Sequence, residues 1–156
     1  MIANRQRRVR VTIAPLQEFL SRVQKKLKVP ADAVSVCFVG DAEMARWNAA
    51  YRGKRRSTDV LSFPANGNSA RASRLKRRSA VTSPWTANGD SKYLGDIAIS
   101  PVVARRNARR DGRPLSAELR ILILHGVLHL LGYDHETDHG EMEQYEQRLR
   151  ASLGLR

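Results

Sequence analysis

The stretch Ser116–Leu131, SAELRILILHGVLHLL, restricts the possible folds of this chain more than any other. Leu119, Ile121, Leu122, Ile123, Leu124, Val127, Leu128, Leu130 and Leu131 spread round nearly every side of a helix, leaving it no polar face for water. Such a helix has to be central and covered by other elements. Ser116 is placed to cap its start, and Gly132 to end it with a left-handed residue. No part of the chain approaches the roughly 18 apolar residues that cross a bilayer. With 156 residues, one domain covering 1–156 is expected, carrying a basic insertion at about 65–92.

The flanking sequence supplies the layers that would cover this helix. Val9, Val11 and Ile13 alternate with Arg8, Arg10 and Thr12, the period of a half-buried strand. Beyond Pro15, a helix is predicted by the spacing of Leu16, Phe19, Leu20, Val23 and Leu27. Val34, Val36 and Phe38 predict a strand ended by Gly40, and Asp41 a helix cap ahead of Met44, Trp47 and Tyr51. Thr58–Phe63 and Tyr93–Ser100 have strand character, and Pro101 suits the first turn of a short basic helix. Asp138 with Glu141 predicts an acidic capping box before a last helix that buries Met142, Tyr145 and Leu149. Strands before and between helices make the expected class α+β.

All four histidines fall between His125 and His139. His125 and His129 are four apart in the apolar helix, so they share a face one turn apart and both imidazoles can reach one ion. The chain reverses at Gly132, which allows His135 to return to the same ion. Three protein ligands leave one coordination position open, as a catalytic site requires. His139 follows the predicted cap and is expected to be exposed. Three imidazoles suit a divalent ion, zinc first, although nickel, copper and iron fit the same ligand set. A zinc peptidase of the HExxH kind needs a glutamate directly after its first histidine, and here that position is Gly126. Peptide hydrolysis is therefore disfavoured. Tyr133 and Asp134 stand close enough to be proton-transfer candidates.

The net charge is +13, with 13 basic and 5 acidic side chains in residues 1–64 alone. The basic excess thus precedes the histidines, which suits a polyanion groove lined from the first half of the chain. Residues 65–92 are rich in Ser, Asn, Gly and Arg without a sustained period, and are read as a long loop. The single cysteine, Cys37, excludes an intrachain disulfide and lies in an apolar run, where a small buried side chain is expected. A reducing cytoplasm is the simple expectation.

HGVLHLLGYDH at 125–135, NAAYRGKRRSTDVLSFP at 48–64 and LGDIAIS at 94–100 together resemble the YbeY family of bacterial endoribonucleases. That resemblance implies a zincin-like fold, a small mixed sheet packed with helices around a buried metal-binding helix. It implies a zinc-dependent endoribonuclease specific for single strands, acting in small-subunit (16S) rRNA 3′-end maturation and ribosome quality control. The implied partners are single-stranded RNA, small-subunit rRNA and the ribosomal particle, with neither membrane nor DNA. His125, His129 and His135 become the metal ligands and Arg52 the catalytic arginine, able to pair with a phosphate through two hydrogen bonds. Lys54 and Arg55 would track the RNA backbone. The rival readings are a ribosome assembly factor with a structural metal, and a zincin-like hydrolase of another substrate.

Overall fold

A computed structural model of the protein describes residues 1–53, 57–65, 93–133 and 139–155. Among these residues the chain runs β1 (Ile2–Asn4), α1 (Ile13–Lys26), β2 (Val34–Phe38), α2 (Asp41–Arg52), β3 (Val60–Pro64), β4 (Gly95–Ile99), α3 (Pro101–Arg110), α4 (Leu115–Leu130) and α5 (Glu141–Ser152). The strands form one mixed sheet in the order β1-β2-β4-β3. β1, β2 and β4 are parallel, and β3 runs antiparallel to β4 along one edge. Pro64 is tolerated because it ends an edge strand, where no further ladder bond is needed from its nitrogen. No helix of the described residues is long and apolar enough to cross a membrane.

The register separates the strand side chains onto two faces. Val36 lies beside Ile97 and Phe38 beside Ile99, and with Val34 they meet α1 and α4. Cys37 lies beside Ala98, and Ala98 in turn beside Leu61, on the other face, together with Val39, Met44 and Phe63 under α2. Every residue of β4 is buried. As its sequence requires, α4 is the central helix, packed against α1, α3, α5, β3 and β4. Ten of its sixteen residues are buried.

Four local expectations are corrected. The alternation at 8–13 is not a strand: the sheet is entered at Ile2–Asn4, and Ile13 already begins α1. Between them the Gln6 side chain takes the place of a strand neighbour. Its amide donates to the Val9 carbonyl at 2.9 Å and its oxygen accepts from the Val9 N–H at 3.0 Å, so Val9 is buried without a ladder. The cap of α2 is Gly40, with Asp41 and Glu43 placed favourably in the first turn. α4 opens after Pro114, which leaves Ser116 inside the helix without a capping bond. α5 begins at Glu141 after Gly140 in a left-handed conformation, so the predicted capping box does not start it; Asp138 itself lies outside the described residues. The insertion from residue 66 to 92 lies outside them as well. Ser100, by contrast, caps α3 ahead of Pro101, accepting from the Val103 N–H at 3.3 Å.

Candidate metal and RNA site

The position of the two helical histidines follows from Gly126, the residue between them that meets the sheet. A Cβ at position 126 would come within 2.8 Å of both Cδ1 and Cγ2 of Ile97. Only glycine lets α4 approach β4 this closely. The Gly126 carbonyl also accepts the Ser62 hydroxyl at 3.2 Å, tying the helix to edge strand β3. Stepping round the helix at 3.6 residues per turn, His125 and His129 lie about 100° and about 60° to the same side of this contact. They therefore project together from one flank of the helix, beside its contact with the sheet.

The two rings converge. His125 Nε2 and His129 Nε2 are 3.0 Å apart, with ring centroids 4.5 Å apart and planes at 72°. Both residues are partly buried. A tetrahedral ion with bonds of about 2.0–2.1 Å to nitrogen places its ligand atoms about 3.3 Å apart, close to the separation already present. The donor chemistry also fits: two imidazoles from one rigid helix suit a borderline-soft divalent ion.

Behind His125 stands Glu146 of α5, which sequence reasoning missed. Its side chain is 5% exposed, and its Oε2 lies 3.0 Å from His125 Nδ1. Its other oxygen accepts from Arg150 Nη2 at 2.7 Å, one turn further along α5. Burial raises the Glu146 carboxyl, but the bonds from His125 and Arg150 outweigh it and hold the group below its ordinary value. The signal was present in the sequence: Glu146 falls on the stripe Met142–Leu149 that α5 buries. A carboxylate at such a position needs partners. A cavity of about 240 Å³ adjoins the pair, lined by Asp59, Glu118, Ile121, His125, Glu146 and Arg150 among others.

The end of α4 is closed by a glycine turn just before the segment that holds the third predicted ligand. Gly132 adopts φ 99°. Tyr133 N–H bonds to the Leu128 carbonyl at 3.1 Å and Gly132 N–H to that of His129 at 3.0 Å, a Schellman ending. Tyr133 then stacks on Tyr145 of α5, centroids 5.3 Å apart. His135 lies outside the described residues, as do Asp134, Lys54 and Arg55. Among the described residues no group of three His, Cys, Asp or Glu side chains forms a metal-holding set; His125 and His129 are the pair brought together. His139 is exposed.

Arg52 is exposed on the last turn of α2, on the opposite face of the sheet from α4. Gly53 ends that helix with φ 71°. Tyr51 beside it packs at a tilt against Phe63 of β3, centroids 4.9 Å apart, so the end of α2 is anchored to the edge strand that Ser62 joins to α4.

The family described as Endoribonuclease YbeY matches residues 1–154. This chain belongs to the YbeY family. Endoribonuclease YbeY of Solibacter usitatus is 41% identical over 142 residues, covering 90% of this chain and 78% of the relative. The YbeY of Koribacter versatilis is 39% identical over 155 residues, covering 99% and 86%. The solution structure of TM1509 from Thermotoga maritima is similar over 98% of this chain and 89% of that one, with a TM-score of 0.59 and 26% identity. The YbeY match thus runs through the sheet, the histidine helix and α5, including Glu146.

Proposed function

We propose that this YbeY-family chain is a metal-dependent endoribonuclease that hydrolyses single-stranded RNA, with small-subunit rRNA and its 3′ end as the target. The observation that carries the metal half of this reading is the convergence of His125 and His129 on one point. His135, three residues beyond Gly132 in the sequence, is the third ligand, and zinc the ion. α4 is then the metal-binding helix of a zincin-like fold. When bound, the ion supplies Lewis acidity at a phosphate oxygen.

The chain's own residues do the rest. The Arg52 guanidinium pairs with the scissile phosphate and stabilises the extra negative charge that develops there. Lys54 and Arg55 hold the neighbouring phosphates, within a chain whose net charge of +13 draws RNA in from a distance. Gly126 bears on the choice of reaction. Its contact with Ile97 leaves no space for the glutamate that a peptidase of the HExxH kind places after its first histidine. Phosphodiester hydrolysis is favoured over peptide hydrolysis for that reason.

The test is Arg52→Ala assayed on a single-stranded RNA oligonucleotide with zinc-loaded protein. The expected result is a folded protein that keeps its metal and loses cleavage. If wild-type protein cleaves no RNA with any divalent ion, the assembly-factor reading with a structural metal replaces this one.

A further inference from the structure

We propose that Glu146, itself held by Arg150, is a positioning residue that fixes the tautomer and direction of His125, so that its Nε2 presents a lone pair to the point shared with His129. The inference rests on the reading of His125 as a metal ligand and adds to it a device that builds the site before any ion arrives.

A carboxylate can only accept hydrogen bonds. The contact between Glu146 Oε2 and His125 Nδ1 at 3.0 Å therefore places the ring proton on Nδ1. A neutral imidazole has one proton and one lone pair, so the lone pair is left on Nε2. That nitrogen is the one 3.0 Å from His129 Nε2. With His125 already an acceptor there, a direct bond between the rings requires His129 Nε2 to carry the proton. His129 then has to give up or move that proton when it ligates, whereas His125 is already in the ligating form.

Arg150 contributes direction. It occupies Oε1 at 2.7 Å from the same helix, and the carboxylate plane is thereby turned so that Oε2 faces α4. An ion pair between Glu146 and Arg150 alone would need neither the burial of the acid nor its bond to a residue 21 positions away on another helix. Carboxylate partners of this kind typically change metal affinity by about 10–100-fold when removed.

The experiment uses full-length protein. Histidine tautomers are read by nitrogen-15 NMR in metal-free wild type, and zinc affinity by chelator competition in wild type, Glu146→Gln and Arg150→Gln. The expected results are an Nδ1–H tautomer at His125 in wild type, and zinc affinity about 10–100-fold weaker in Glu146→Gln. Arg150→Gln, which keeps the carboxylate but frees its orientation, should weaken zinc by a smaller factor. An Nε2–H tautomer in metal-free wild type overturns the proposal without need of any variant. Equal zinc affinity in wild type and a folded Glu146→Gln overturns it as well. Wild type that binds no zinc instead overturns the metal reading of the site, a separable outcome.

Discussion

The two faces of the sheet are built to different depths. On one face α1, α4 and α5 lay down a thick apolar layer that includes Phe19, Leu20, Val36, Phe38, Ile97, Ile99, Leu124, Leu128 and Met142. On the other, among the described residues, α2 covers Cys37, Val39, Leu61, Phe63 and Ala98 with little more than Met44, Trp47 and Tyr51. The histidines stand on the thick face and Arg52 at the end of the helix on the thin one. Metal ligands tolerate little displacement, because coordination fixes distance and angle together. A phosphate-binding arginine has a long side chain and can follow its substrate. On the proposed reading, the deep layer thus lies under the histidines, the part of the site that needs rigidity.

Substitutions can break or sharpen this contrast. Leu124→Ala on the thick face removes a fully buried side chain of α4 and should cost about 3–5 kcal/mol in urea denaturation. Met44→Ala on the thin face should cost about 2–3 kcal/mol, because a shallow layer can collapse into the space. Equal losses would remove the distinction between the faces. Gly126→Ala should destabilise by about 1–3 kcal/mol despite the better helix propensity of alanine, since the fully buried Ile97 has to shift to admit the added Cβ. A stabilised variant would show that α4 can lift from the sheet.

The thin face has a pH signature of its own. Burial pushes the Cys37 thiol from 9.0 up to about 11. The unfolded thiol therefore ionises first, and the native state holds more protons between these values. Stability should be unaffected below pH 9 and fall as pH rises from about 9 to about 11, by up to about 2 kcal/mol. Cys37→Ala should make that part of a stability–pH curve shallower. A wild-type curve already flat there would contradict a buried thiol. The smallest stability effect belongs to Arg52→Ala, within about 0.5 kcal/mol by thermal melting, even though RNA cleavage should be lost. A large loss of stability would make Arg52 a structural residue.

What was legible in the sequence depended on how local the cause was. α4 could be read because its apolar composition permits only burial, and the histidine pair because helical spacing alone puts both rings on one side. Gly126 could be read as a missing glutamate, but its close contact with Ile97 could not, since that contact joins residues far apart in the chain. The alternation at Val9–Ile13 misled because side-chain bonds from Gln6 satisfied the backbone that a strand partner would otherwise have served. Ser116 and Asp41 were good capping residues that Pro114 and Gly40 displaced by one or two positions. Glu146 was passed over because a charged residue on an amphipathic helix is ordinarily on its wet side. Its partner His125 becomes visible only when α5 is folded back against α4.

The most direct test counts metal ions by elemental analysis in wild type and in His129→Ala, each purified without an affinity tag, and assays both on single-stranded RNA. One zinc per wild-type chain is predicted, with metal and cleavage lost together in the folded variant. Full cleavage by chelator-stripped wild type, or by His129→Ala without its ion, would contradict the account.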